Sequence, residues 1–272
     1  MSDRVTISIS DGIADVRFNR ADKRNALDGE QFQAIVDAGE SLKTNKKIRV
    51  VVLSGEGASF CAGLDLSSMG AMAGGGERDS AEKQPSAGDM QEGRITHLGQ
   101  QSAWVWQEVP VPVIAAVHGH ALGGGCQIAL GADIRFAHPD TKFSVRETYW
   151  GLVPDMGLTR SLKGLIGVDL AKELTLTARV FDGNYAKEIG LVTHLSDSPL
   201  EKANEIATEM LQRSPDALTA AKRVLDAMEH QPEKSLRLEK IWQLKLLLGK
   251  NSKLARKKDK HPEVNFLPRQ YK

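Results

Sequence analysis

The N-terminal stretch alternates apolar and polar positions: Val5, Ile7 and Ile9, then Ile13 to Phe18 after an Asp11-Gly12 pair. Alternation with period two marks strands with one buried face, and Asp-Gly between two such runs predicts a tight hairpin. The period then changes. Phe32, Ile35, Val36 and Leu42 recur at helical spacing behind Asp28, a candidate N-cap with Gln31 three residues on, which is a capping-box pattern. Ile48 to Leu53 is an unbroken β-branched run, as expected of a strand covered on both faces, and Pro112 to Val117 is a second. A helix is predicted from about Glu92 to Glu108, with short helix and strand pieces over Ala129–Phe136 and Lys142–Val145. Strand, helix and buried strand in this order predict βαβ units in a mixed α/β core.

Two regions break the pattern. From Ser67 to Gly93 periodicity is lost in a glycine-rich and then polar stretch containing Pro85. A loop of that length suits a lid or pocket wall better than a connector. The last third is helical: Ser198-Pro199-Leu200-Glu201 combines a Ser N-cap, Pro at N1 and Glu at N3, Ser214-Pro215 opens another helix, and a third runs from about Glu233 to Leu248. The expected organisation is a core over residues 1–200 with a helical extension over 201–272. Residues 250–272 carry eight Lys or Arg against two acids. They read as a solvated terminus or subunit contact, or alternatively as a phosphate or nucleic-acid contact.

Composition narrows the function. Of the 272 residues, 41% are hydrophobic and 26% charged, which excludes global disorder. Thirty-six Lys and Arg against 35 Asp and Glu leave a formal charge of +1, which argues against a dedicated nucleic-acid binder. The longest apolar runs are too short for a membrane span. The two cysteines, Cys61 and Cys126, make no disulfide framework and fit a reducing compartment. With no targeting pattern at the N-terminus, a cytoplasmic location is expected.

Several motifs fail on inspection. Gly119, Ala121 and Gly124 do not make G-x-G-x-x-G, and no Lys-Ser/Thr pair follows the glycines. Gly57-Ala58-Ser59-Phe60-Cys61 ends in Cys where a nucleophile elbow needs Gly. His118 and His120 have no further ligand at metal-binding spacing, so no metal is expected. The cysteines read as small apolar packing residues. What does hold is a design used twice: Val50-Val51-Val52-Leu53 runs on to Phe60-Cys61-Ala62-Gly63-Leu64-Asp65-Leu66, and Ile114-Ala115-Ala116-Val117 to Leu122-Gly123-Gly124-Gly125. A buried strand leading into small residues lets backbone N–H groups approach a ligand, and two converging on one carbonyl oxygen would form an oxyanion hole.

These segments, with Asn19 to Asp28 before them and Phe143-Ser144-Val145-Arg146-Glu147 and Gly151-Leu152-Val153-Pro154 after, resemble the crotonase (enoyl-CoA hydratase/isomerase) superfamily over about residues 5–230. The resemblance implies an α/β spiral of ββα units, C-terminal helices used for oligomerisation, and a homotrimer or dimer of trimers. It also implies an acyl-CoA thioester as substrate, with coenzyme A carried on the substrate and no separate cofactor. By position, the Ala62 and Gly124 N–H groups would hold the thioester oxygen, and Arg24, Ala26, Leu64, Asp65 and Leu66 would lie along the coenzyme A path.

Hydratases of that family place two glutamates where this chain has Gln127 and Glu147. Glutamine carries no proton to exchange at neutral pH, so Gln127 can only orient groups at the substrate site. Asp155, eight residues beyond Glu147, resembles the second carboxylate of dienoyl-CoA isomerases, although those carry Asp at the Gln127 position. Asp155 can also be read as the N-cap of a helix over Met156–Ile166. The expectation is an acyl-CoA double-bond isomerase with Glu147 as principal base and Asp155 as second acid/base. A 3-enoyl-CoA isomerase would need Glu147 alone. The alternatives are an enoyl-CoA hydratase using Glu147 and a non-catalytic acyl-CoA-binding protein.

Overall fold

The computed structural model describes residues 3–67, 85–229 and 240–271, except 243, 244, 247 and 259. β1 (Val5–Ser10) and β2 (Ile13–Phe18) form the expected hairpin. Its two-residue loop has positive φ at Asp11 (52°) and Gly12 (90°), the turn whose twist matches that of the strands. Asp28 caps α1 (Gly29–Lys43), accepting from the Gln31 N–H at 2.8 Å. The return half of the capping box is missing: Gln31 Oε1 is buried without a partner, while its Nε2 donates to the Arg4 carbonyl at 3.2 Å.

The large sheet has the order β1-β2-β3-β4-β6-β8, with β3 (Val50–Gly55), β4 (Val113–Val117), β6 (Ile134–Ala137) and β8 (His194–Leu195). Only β1 and β2 pair antiparallel. A second layer holds β5 (His120–Leu122) parallel to β7 (Lys142–Ser144), extended by bridges from Cys61 to Ala121 and from Phe143 to Phe181. Each pass of the chain thus lays one strand in the large sheet and a short one in the second layer. β4, β5 and then α3 (Gly124–Leu130) make the ββα unit most plainly.

Both faces of the central strands are covered, which is why their sequences are apolar at every position. Val51, Leu53, Val113, Ala115 and Val117 face the main core, which includes α1 and α2 (Leu98–Glu108). Val50, Val52, Ile114 and Ala116 face Ala203 and Ala207 of α7 (Pro199–Met210). Each Val, Leu or Ile so buried contributes about 1.5–3 kcal/mol. α2 begins at Leu98 rather than near Glu92. Residues 90–97 turn back on themselves, Met90 pairing with His97 and the Gln91 N–H donating to Thr96 O, so those groups are not free for helix.

α4 (Leu158–Ser161), α5 (Val168–Thr177) and α6 (Gly183–Glu188) lead from β7 to β8. The expected boundary at residue 200 falls inside α7, the helix that covers the outer face of the sheet. Ser198 makes no side-chain cap there, whereas Ser214 caps α8 (Pro215–Asp226) through the Ala217 N–H. Lys222 of α8 is buried, 2.8 Å from Asp133 and 3.2 Å from each of the Trp106 and Val111 carbonyls.

The C-terminal segment is not a solvated terminus. After α9 (Lys250–Lys258) it returns to the body, where the buried Asp216 carboxylate accepts from Asn251 Nδ2 and from the Gln270 and Tyr271 N–H groups. Arg269, only 2% exposed, donates to Lys43 O. A buried carboxylate needs such donors, and the returning tail supplies them. The helix expected over 233–248 and the loop expected over 67–93 lie largely outside the described residues. Among the described residues no helix is long and apolar enough to cross a membrane.

Candidate active site

A cavity of about 670 Å³ opens beside the second layer, against the starts of α1 and α2 and the loops that follow β3, β5 and β7. Most of its wall is apolar, with Leu27, Phe32, Trp150 and Met156 prominent, while Arg146, Glu147 and Asp155 supply the charged groups. Two strand exits bring backbone to it. After β3 the chain passes Gly63, whose φ of 87° and whose missing Cβ, which would meet Leu122 O at 2.5 Å, let the two loops touch. After β5, Gly123 (φ 51°) turns the chain into α3.

This geometry corrects the expected oxyanion donors. The Ala62 N–H donates to Arg24 O at 3.0 Å and is already used. One register step on, the Gly63 and Asp65 backbones bond Leu27, leaving the Leu64 N–H between them without an acceptor among the described residues. The Gly124 N–H, in the first turn of α3, likewise has none. Leu64 and Gly124 both line the cavity, so two unused N–H groups, rather than that of Ala62, are available to a polar atom entering it.

Glu147 opens a single 3₁₀ turn directly after β7. Its Oε1 accepts from Gln127 Nε2 at 2.6 Å, and Gln127 Oε1 accepts from the Met156 N–H at 3.0 Å. The Met156 bond sets which way the amide faces, so the glutamine presents a donor to Glu147. Gln127 is wholly buried behind that carboxylate and is absent from the cavity wall. Glu147 Oε2 is buried with no hydrogen-bond partner. Burial, reinforced by the charge of Asp155, raises the Glu147 pKa above its ordinary 4.5 against the opposing pull of the Gln127 donor.

Asp155 also lines the cavity, but its side chain is 61% exposed. It caps no helix: α4 starts at Leu158, with Gly157 (φ 84°) at the N-cap and no side-chain cap. Its Oδ2 lies 3.8 Å from Nε2 of His97, the residue that caps α2. Nothing in the sequence pattern ties His97 to Asp155; only the turn at 90–97 brings it there.

Of the residues expected along the coenzyme A path, Leu64 and Leu66 line the cavity, as does Ala62. Asp65 and Ala26 are held by Arg20, whose guanidinium lies 2.8 Å from Asp65 and 3.1 Å from Asp28 and donates to Ala26 O at 2.9 Å. Asp65 also accepts from the Ser67 hydroxyl, which with Arg20 holds its pKa below the usual range. Arg24 sits in the left-handed region (φ 50°) with an exposed side chain, off the cavity wall. Cys61 and Cys126 are buried, and burial pushes both thiols up to about 12, which suits packing rather than nucleophilic attack.

Strands that run into glycine loops on each side of an apolar cavity, within a parallel sheet and its short second layer, define the fold, and known proteins share it. The enoyl-CoA hydratase/isomerase family model matches residues 8–253, and the chain belongs to that family. It is 36% identical over 222 residues to the mitochondrial methylglutaconyl-CoA hydratase of Mus musculus, covering 79% of this chain and 66% of that protein. It is 32% identical over 235 residues to the peroxisomal Δ(3,5)-Δ(2,4)-dienoyl-CoA isomerase of Arabidopsis thaliana, covering 85% and 84%. The chain therefore spans just under two thirds of the hydratase and most of the isomerase. The crystal structure of an enoyl-CoA hydratase from Bacillus anthracis superposes with a TM-score of 0.82 at 27% identity, covering 96% of this chain and 98% of that one.

Proposed function

We propose that the protein is an acyl-CoA double-bond isomerase, acting on 3,5-dienoyl-CoA or 3-enoyl-CoA thioesters without a separate cofactor. The observation that carries this reading is the pairing of Glu147, with one free buried oxygen, and Asp155 on the same cavity, while Gln127 is committed at both ends of its amide. The thioester oxygen sits against the Leu64 and Gly124 N–H groups. Glu147 Oε2 removes the proton next to the thioester, the two N–H groups stabilise the enolate, and Asp155 returns a proton further along the chain. Arg24, Ala26, Asp65 and Leu66 shape the approach of the coenzyme A moiety, through backbone and turn geometry where their side chains are already engaged.

A second reading, an enoyl-CoA hydratase, rests on the 36% identity to methylglutaconyl-CoA hydratase. In it Glu147 alone orients and deprotonates water, with Gln127 holding the carboxylate. Assaying 2-enoyl-, 3-enoyl- and 3,5-dienoyl-CoA with wild type, Glu147→Gln and Asp155→Asn separates the two. Rapid hydration of 2-enoyl-CoA with no isomerisation overturns the isomerase.

A homotrimer or dimer of trimers belongs to the proposal, because exposed Val168, Leu176 and Val180 leave an apolar surface that a subunit contact would cover; light scattering tests it. The free thiols suit a cytoplasmic location, whereas the relatives above are named mitochondrial and peroxisomal, so fractionation is the test.

A further inference from the structure

Resting on the acyl-CoA reading above, we propose that the site selects an uncharged acyl chain that runs out over Trp150, Leu152 and Val153, and turns away acyl groups that end in a second carboxylate. The three apolar side chains hold the chain, and Glu147 and Asp155 do the excluding. The selection holds for an isomerase or a hydratase alike, because it concerns the part of the substrate beyond the reacting carbons.

One turn builds this part of the wall. The Gly151 N–H donates to Thr148 O at 3.1 Å and the Leu152 N–H to Glu147 O at 3.0 Å, so the turn that carries the base closes on itself and sets Trp150 and Leu152 on the cavity. Gly151, at a φ of 72°, permits that closure. Trp150, Leu152 and Val153 line the cavity and yet are 43%, 46% and 71% exposed, and Leu66 of the loop after β3 is 53% exposed. Large apolar side chains left bare at the edge of an apolar cavity mark a surface that something apolar covers. The substrate's own chain is the occupant that fits: with its thioester against the Leu64 and Gly124 N–H groups it is tethered in the same cavity, and these side chains continue that cavity outward.

The charged groups give the wall its sign. Among the described lining residues the acids are Glu147 and Asp155, and Arg146 is the one basic side chain. Arg146 is already engaged: its Nη1 donates to Ala178 O at 3.0 Å, and its guanidinium carbon lies 4.0 Å from the centre of the Tyr149 ring. The two carboxylates act on the same space, since the charge of Asp155 is one of the causes that raise the Glu147 pKa. An acyl group ending in a carboxylate would bring a third negative charge there, with apolar side chains in place of its water. A methyl end meets neither penalty and covers the exposed apolar side chains instead.

The test uses saturated thioesters, which bind but do not isomerise: butanoyl-, hexanoyl-, octanoyl- and decanoyl-CoA, each beside the CoA monothioester of the diacid of the same length. Calorimetry at neutral pH gives Kd. Deuterium exchange at the α-carbon, which needs only Glu147 and the two N–H groups, reports whether each ligand binds with its thioester in place. For wild type, Kd should fall with length by up to about fourfold per methylene. Each diacid monothioester should bind about 10²-fold more weakly than its methyl-ended counterpart. Asp155→Asn should narrow that gap by about fivefold, since the charge it removes is partly solvated. Val153→Asp, a change at an exposed position, should flatten the gain from butanoyl- to decanoyl-CoA.

Diacid monothioesters that bind as well as their methyl-ended counterparts, or better, overturn the exclusion. A gap that Asp155→Asn leaves untouched shows that Asp155 does not enforce it. A Kd independent of chain length, or a length gain that survives Val153→Asp, overturns the surface at 150–153 as the seat of the chain. Failure of every saturated thioester to bind overturns the acyl-CoA reading and the selection together. Rapid hydration of 2-enoyl-CoA without isomerisation, alongside the expected binding series, overturns the isomerase alone and supports the selection.

Discussion

The two carboxylates on the cavity wall are held in opposite ways. Glu147 is buried, one oxygen bound to an amide whose orientation a backbone N–H sets, the other oxygen bare. Asp155 is mostly solvated, with the His97 imidazole 3.8 Å away. Burial without a partner makes a carboxylate more basic, which suits removal of a weakly acidic carbon-bound proton. An exposed side chain stays in contact with water instead. In the proposed reaction the first is the base and the second the proton carrier, and the predictions below are arranged to separate them.

Replacing the base should cost most. Glu147→Gln is expected to lower isomerisation and α-proton exchange alike by about 10²–10⁴-fold, measured as kcat for each. It should also raise the melting temperature near neutral pH. The folded-state pKa of Glu147 is raised, so burying the carboxylate costs stability at pH values above it, and the amide removes that cost. The gain should shrink as pH falls and vanish below the ordinary 4.5, where the carboxyl is protonated in both states. A stabilisation independent of pH would show that Glu147 is not strained by burial.

Disturbing the N–H pair should strike both carboxylates together. Gly63→Ala places a Cβ against Leu122 O at a φ of 87°, so the Leu64 N–H must move. A loss of about 10²–10³-fold in both isomerisation and α-exchange is expected. Loss of one reaction alone would show that Leu64 is not a shared donor.

Asp155→Asn should divide the two walls. Dienoyl-CoA isomerisation is expected to fall about 10²-fold while α-exchange persists, since exchange needs only the base. Equal loss of both would make Asp155 a structural support for Glu147.

Gln127→Leu should give the smallest change, about tenfold in kcat, together with a shift in pH dependence. The reaction needs ionised Glu147, so activity falls on the acid side as pH drops through its raised pKa. Without the amide donor, which favours the ionised form, that limb should move to still higher pH. Stability should drop by about 1–3 kcal/mol, because the buried Met156 N–H loses its acceptor. An unmoved acid limb would mean that the amide holds Glu147 in place without tuning it.

Much of the molecule is legible in the chain. The hairpin at Asp11-Gly12, the Asp28 cap and the strands buried on both faces follow from period, turn chemistry and capping, which act over a few residues. The family is legible too, since the glycine loops and Glu147 stand in ordered motifs. The errors are those of register and distance. Ala62 and Leu64 are both small-loop candidates until the strand pairing with Leu27 and the Arg24 carbonyl consume one N–H and free the other. The tail looks solvated by composition until the buried Asp216 recruits it.

The sequence by itself determined which residues can carry protons: a Gln where a second Glu would sit, a Glu after β7, and an Asp eight residues further on. Tertiary structure alone decided how each of them is held. Which carboxylate oxygen is bare, which amide end faces it, which loop N–H is unused and which imidazole stands beside Asp155 all depend on groups far apart in the chain. Hydrogen bonding is a competition for a limited set of partners. The sequence names the competitors, but only the folded arrangement assigns the pairs.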